Sequence, residues 1–439
     1  MQSRVWHPYT QMKDWLQFDV IVRGKGMWLY SSGGERLLDG VASMWCNVWG
    51  HSKTEIIDKM VLQTRQLQHS SLFNLTNDKA EELARRLVRI CPGMHSVFYS
   101  DDGSTAMEAS AKMAIQYWQN VREKKKTRFV VLENSYHGDT LGAISLGYVP
   151  AFFSRYKSMV FPVTRVPSPL SYRIPKGMTP VDHENLCLEK IESLLSRHDN
   201  IAALVMESGA QVAGGVNIYP EGFQRKAARL AKKHGALFVL DEIATGFGRM
   251  GSMVEYQSQG SMPDIVSFGK MLTAGYLPLA ATLATRKVYD AFLGPFEEMR
   301  HFFHGHTFTG NPLACATAIA NMELYKKNKL ISKIKKTSSR LQSRVKEIAS
   351  LELVGDVRSK GMLMGIELVS NKATKSRIPH ETRIHQRVFQ EARKHKIYLR
   401  TLGSIVMIVP PLAISETELD FLIDGTIKTI KNVTAHVKK

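Results

Sequence analysis

The chain has 439 residues, 44% apolar and 23% charged, with a formal charge of +19. That length gives room for two domains, and the composition is that of a globular chain. No run of eighteen uncharged apolar residues occurs, the opening Met1-Gln-Ser-Arg-Val-Trp-His-Pro has no apolar signal core, and the four cysteines form no CxxC, so the expectation is a protein of the reducing cytoplasm with no membrane span, disulfide frame or zinc site.

The basic excess invites a nucleic-acid reading. Its lysines are dispersed, however: Lys124-Lys-Lys126 sits in a polar connection, and Lys326 to Lys336 lies on an amphipathic helix. No alternation of aromatic and basic residues offers a platform for bases. The charge reads as a solvated surface suited to anionic substrates, with no nucleic-acid partner.

In chain order, strands are expected around Val20 to Val22 and Met27 to Tyr30, with Ser31-Ser-Gly-Gly34 as a turn. Leu38 to Gly50 is aromatic and poor in charge, so it is either core or a ligand wall. Trp45 and Trp49 stand four apart and suit a buried helix face. Asp78 to Ile90 has helical spacing with early acids. Val97 to Ser100 is a short strand leading into a strong helix former from Thr105, which puts Gly103 and Ser104 at a helix N-terminus. Free N–H groups and the helix dipole make such an end an anion site, although ordinary capping uses the same residues.

Phe129 to Leu132 is a buried strand, and beyond it Tyr136 can stack on a planar ring, with His137 close behind. Ile201 to Met206 is a further strand, ending at Glu207. The apolar run Ala236 to Leu240 reads as a strand buried on both faces, and it ends in Asp241. Ligands of open α/β sheets bind at that end of a strand. Asp264 to Pro278 reads as a strand that stops at Gly269, then presents Lys270, with Gly275 following. A lysine after a strand is by default a surface residue. Asp241 and Lys270, 29 residues apart, span about one strand-crossover-strand unit. A desolvated lysine can hold an aldehyde cofactor as an imine, and a carboxylate keeps a pyridine ring protonated as an electron sink. The pair therefore favours pyridoxal phosphate.

His301-Phe-Phe-His-Gly-His306 brings three histidines with no local acid or cysteine, so no metal is expected. Thr307 and Thr309 precede a helix starting near Pro312, where hydroxyls can reach a phosphate. Lys333 to Ile348 reads as an amphipathic helix, Val354 to Val369 as strand around a turn at Gly361, Thr382 to Lys394 as a helix, and Ile405 to Val409 as a strand. Strand and helix alternate up to about residue 320, giving an α/β large domain with a mainly parallel sheet. The expected division is 1–50 as the N-terminal segment of a small domain, 51–325 as the large domain and 326–439 as the rest of the small α+β domain.

Trp6-His-Pro-Tyr-Thr-Gln-Met12, Tyr136-His-Gly-Asp-Thr140, Asp241-Glu-Ile-Ala-Thr-Gly-Phe-Gly-Arg249 and Gly305-His-Thr-Phe-Thr-Gly-Asn-Pro-Leu-Ala314 together resemble the fold-type I, class III (omega) aminotransferases over nearly the whole chain. The opening motif narrows the resemblance to the diaminononanoate-forming branch, which implies conversion of 8-amino-7-oxononanoate to 7,8-diaminononanoate in biotin biosynthesis. The resemblance implies a pyridoxal-phosphate homodimer. In it Lys270 is the Schiff-base lysine, Asp241 the pyridinium partner and Tyr136 the stacking ring. Gly103 and Ser104 hold the phosphate with Thr307 of the other subunit. Arg400 holds the substrate carboxylate, with Tyr9, Trp45 and Gly305 in that wall. The chain departs from the common pattern at Met44-Trp45, at Arg400-Thr401 and at Glu207-Ser-Gly-Ala-Gln211, where many relatives have two tryptophans, Arg-Pro and Glu-Pro-x-x-Gln. Loss of the first tryptophan removes an apolar face for a bulky donor, so lysine is expected as amino donor with S-adenosylmethionine as the alternative. Other class III activities, of ornithine or 4-aminobutyrate type, stay open, as does a basic binding protein on charge alone.

Overall fold

Residues 3–14 and 20–435 are described by a computed structural model. Strands β1 (Ile21–Lys25), β2 (Trp28–Ser31) and β3 (Arg36–Asp39) form an antiparallel meander. The large sheet contains β4 (Met94–Ser100), β5 (Arg128–Leu132), β6 (Thr164–Val166), β7 (Ile201–Glu207), β8 (Leu237–Asp241), β9 (Ile265–Phe268) and β10 (Ala280–Thr285). Its order is β4-β10-β9-β8-β7-β5-β6, and β10 runs antiparallel to both its neighbours while the other pairings are parallel. Every residue of β7, β8 and β9 is buried, as strands covered on both faces by helices require.

Register decides what this sheet can do. Asp241 stands opposite Glu207 on one side and Ser267 on the other. The carboxyl ends of β7, β8 and β9 are therefore level, and the loops leaving them share one edge with Lys270. The helix Gly103–Asn120 enters the same edge from β4. Asp102 caps it, accepting the Thr105 N–H while the Thr105 hydroxyl accepts the Asp102 N–H at 3.1 Å each. This reciprocal cap leaves the N–H groups of Gly103 and Ser104 without intrahelical partners.

The two ends of the chain share a sheet. Strand β13 (Ile397–Tyr398) joins the N-terminal meander beside β3 in parallel. Strands β11 (Val354–Lys360), β12 (Leu363–Asn371), β14 (Arg400–Leu402) and β15 (Ile405–Ile408) form an antiparallel sheet in the order β11-β12-β15-β14. Fully buried Arg249 ties the large-sheet region to this C-terminal part, donating to the carbonyls of Met362 at 3.0 Å and Pro410 at 2.7 Å.

Two expectations need correction. Trp45 and Trp49 do not share a helix face. Ala42–Trp45 is a single turn with non-helical Ser43 and Met44, so Trp45 faces the cavity while the Trp49 Nε1–H donates into the core, to Asn321 at 2.7 Å. The helix expected over Lys333 to Ile348 is two, Leu330–Ser343 and Val345–Ala349. The break falls at Arg344, whose backbone sits in the bridge region while its guanidinium holds Glu347 and Asp424.

Candidate active site

A cavity of about 450 Å³ opens at the carboxyl edge of the large sheet. Lys270, Asp241, Tyr136, Gly103, Ser104 and Trp45 all line it. Lys270 follows extended Gly269 and holds φ at 44°, a left-handed conformation that costs a non-glycine residue energy and recurs at functional sites. Its Nζ lies 5.6 Å from the centre of the Trp45 ring, and no carboxylate comes within ion-pairing distance among the described residues. Burial holds the Lys270 amine below its ordinary value, with Asp241, Cys46 and Glu207 pulling the other way. The net effect favours a neutral, nucleophilic amine.

Asp241 is 5% exposed and its oxygens are both used. Oδ2 lies 2.8 Å from His137 Nδ1, and Oδ1 accepts the Ile243 N–H at 2.9 Å. Its neighbour Glu207 accepts the N–H of Tyr136 at 3.2 Å and of Val212 at 2.9 Å. Burial pushes the Glu207 carboxyl up to about 7, His137 opposing and Asp241 adding to the rise. The Tyr136 ring stacks on Phe153 at 6.2 Å with an interplanar angle of 15°.

These surroundings fit a phosphorylated pyridine aldehyde. The helix start has the free N–H groups that suit a phosphate and packs so closely that only glycine fits: a Cβ on Gly103 would come within 2.8 Å of the Ile243 side chain. Gly138, at φ +121°, lets the Tyr136 loop lie on Ser104, where any Cβ would collide. The Trp45 Nε1, His137 Nε2 and Thr245 Oγ1 atoms are buried without a partner in the cavity wall, as polar groups waiting on a ligand or water would be.

The outer candidates are arranged differently. Tyr9, at φ 53°, donates its hydroxyl to Asp139 Oδ1 at 2.5 Å, and the Tyr136 hydroxyl donates to the same oxygen at 3.1 Å. Burial and then Asp139 raise the Tyr9 phenol well above its ordinary value, while nearby Arg400 opposes them. The Arg400 guanidinium touches the Met44 sulfur and has no carboxylate partner among the described residues. Tyr9 and Arg400 thus meet at the cavity mouth, outside its lining. Gly305 and Thr307 do not join them: both are exposed, in the segment before the helix Pro312–Lys327. Gly305 faces Phe73, where a Cβ would stand 3.0 Å from the ring. Thr309 is buried and its hydroxyl accepts the His306 N–H at 2.9 Å.

Two residues escaped the sequence reading. Glu207 carried the same strand-end signal as Asp241, but without the register nothing placed the two side by side. Asp139 was visible only inside its motif, and its role as a shared acceptor depends on Tyr9, 130 positions away.

The family described as aminotransferase class-III matches residues 10–430. An adenosylmethionine-8-amino-7-oxononanoate aminotransferase of Geobacter sulfurreducens is 47% identical over 438 residues, covering 99% of this chain and 97% of the relative. One of Aquifex aeolicus is 39% identical, covering 98% and 96%. Among solved structures, the crystal structure of the same-named enzyme of Methanocaldococcus jannaschii has a TM-score of 0.92 at 38% identity, covering 98% of this chain and 97% of that one. A PLP-bound amine transaminase of an uncultivated Pseudomonas species has a TM-score of 0.93 at 29% identity, covering 98% and 99%.

Proposed function

We propose that this chain, which belongs to the class-III aminotransferase family, is a pyridoxal-phosphate-dependent aminotransferase that converts 8-amino-7-oxononanoate to 7,8-diaminononanoate in biotin biosynthesis. The observation that carries the chemistry is one cavity holding a buried amine without a counter-ion, Lys270, and a strand-end carboxylate, Asp241. The relatives' names supply the substrate.

Pyridoxal phosphate, when bound, supplies the electron sink for breaking the C–H bond of the amino donor. The chain's residues do the rest. Lys270 Nζ would hold the cofactor, and its amine is the group placed to act as base for the proton of the donor carbon. The Asp241 carboxylate, oriented by His137 and the Ile243 N–H, keeps the ring nitrogen protonated. The Tyr136 ring, in the cavity wall, would offer the cofactor ring a stacking face. The N–H groups of Gly103 and Ser104 hold the phosphate. Arg400 receives the substrate carboxylate as a planar fork, with Tyr9 and Trp45 in the same wall.

Thr307 and Gly305 complete the site from a second copy of the chain. Support comes from the surface around them: Phe73 is 69% exposed and Phe303 65%, an apolar patch of the kind that a partner covers. We read 1–50 and 326–439 as the small domain and 51–325 as the large one, and the pairing of β13 with β3 supports that reading. Its four cysteines are free, which suits the reducing cytoplasm, and no helix among the described residues is long and apolar enough to cross a membrane.

For the amino donor we favour lysine. Met44 takes the place of a bulky aromatic wall and sits against Arg400. S-adenosylmethionine is the second reading, favoured by the relatives' names. The test mixes the pyridoxal form separately with lysine, S-adenosylmethionine, ornithine and 4-aminobutyrate and follows loss of its visible band, then adds 8-amino-7-oxononanoate to restore it. Restoration by that ketone is expected. Turnover with ornithine or 4-aminobutyrate instead would overturn the assignment, and conversion by S-adenosylmethionine but not by concentrated lysine would overturn the donor.

A further inference from the structure

The loop that carries Tyr136 is held at two consecutive residues by two adjacent strand ends. The Tyr136 N–H donates to Glu207 at the end of β7, and the His137 ring is bonded to Asp241 at the end of β8. These two acids stand opposite one another in register. We propose that Glu207 is a positioning residue for the cofactor: its carboxylate, clamped between the N–H groups of Tyr136 and Val212, fixes the stacking ring over the cavity while Asp241 fixes the residue beside it. The inference rests on the function proposed above.

The argument begins with cost. Glu207 is 4% exposed, and a buried carboxylate beside a second acid is unfavourable unless it accepts hydrogen bonds. Two backbone donors converge on it, one per oxygen. Only a carboxylate presents two acceptors in that arrangement, because a glutamine would turn an NH₂ toward one of the N–H groups. Glu207 has no side-chain base to serve and no ion pair among the described residues. It ties together two walls of the cavity, since Val212 leads into Ala213, which lines the pocket with Tyr136. The rise of its carboxyl to about 7 is the mark of that burial. Removing the side chain leaves two buried N–H groups unsatisfied and frees the Tyr136 backbone from one of its two anchors. The His137 link to Asp241 would remain, so the loop would loosen rather than detach.

The test compares Glu207→Gln and Glu207→Ala with wild type and with Leu195→Ala. The last is a buried truncation on the helix Pro180–Arg197, away from the cavity, and controls for loss of stability. The readouts are the Kd for pyridoxal phosphate, the visible circular dichroism of the bound cofactor, and Tm of the apoprotein. Expected is a Kd raised about tenfold in Glu207→Gln, more in Glu207→Ala, with weakened circular dichroism in both. Leu195→Ala should lower Tm while leaving Kd and circular dichroism at wild-type values. Wild-type Kd and circular dichroism in both Glu207 variants, or equal changes in Leu195→Ala, overturn the positioning role. If Glu207→Ala does not fold, Glu207→Gln decides by the same criteria. A wild-type protein that takes up no pyridoxal phosphate overturns the proposed function and this inference together, whereas normal uptake with unaltered variants overturns the inference alone.

Discussion

The inner and outer halves of the site differ in how they are made. Around Asp241, Glu207 and His137 almost every polar atom is bonded to backbone or to a neighbouring strand end, and the two acids end level strands of one sheet. At the mouth, Tyr9 and Arg400 come from opposite ends of the chain, and Gly305 and Thr307 stay outside the cavity. The hydrogen bonds of the inner half are made within one chain. The rim is assembled from distant segments, where substitution disturbs little of the core. A protein built this way can keep its chemistry and change its substrate.

The sharpest way to break this contrast is at its centre. Lys270→Ala should still bind pyridoxal phosphate, because the phosphate cradle and the Tyr136 wall are untouched, yet lose about 10²–10⁴-fold or more in turnover. Appreciable multiple turnover by that variant would sink the role of Lys270. The wild-type profile should show the same group. Burial lowers the amine's pKa, so the base becomes competent at lower pH than a free lysine would, and kcat should rise with pH through a value below 10.5 and fall as acid protonates it.

How much of this contrast was legible in the sequence follows from the same division. The helix Asp78–Ile90 was readable to the residue because its apolar spacing and its cap are local. Asp241 and Lys270 were readable because a buried strand ending in a polar residue is a local pattern, one crossover apart. The Trp45–Trp49 spacing misled because a four-residue interval is equally satisfied by one distorted turn, and tertiary packing chose the turn. The partnership of Tyr9 with Asp139, or of Arg400 with Met44, has no local signature at all. Only the resemblance to a family pointed to Tyr9 and Arg400, and it did not mention their partners.

At the rim, Arg400→Ala should cost on the order of 2–5 kcal/mol in acceptor binding, since it leaves a substrate carboxylate unpaired beside apolar walls. The effect should fall on the acceptor half-reaction. Single-turnover rates measured separately for donor and acceptor check this, and an equal loss in both halves would argue that Arg400 supports the fold of the mouth instead.

The smallest expected effect tests whether the outer half is shared between two copies. Thr307 lies outside the cavity of its own chain, so a single chain cannot use it. Supplied by a second copy, its hydroxyl would donate one hydrogen bond to a charged phosphate, worth roughly 1.5–3 kcal/mol. Thr307→Ala should therefore raise the Kd for pyridoxal phosphate by roughly ten- to a hundredfold without changing Tm of the apoprotein, because the exposed side chain supports nothing in its own fold. Mixing Thr307→Ala with Lys270→Ala protein sharpens the point. In a mixed pair, the intact Lys270 of the Thr307→Ala chain would face the intact Thr307 of its partner, so one of the two sites should recover tight binding and turnover. Recovery on mixing requires sharing. If Thr307→Ala alone binds the cofactor as wild type does, the outer half draws nothing from a second copy through this residue, and the contrast between the halves reduces to exposure alone.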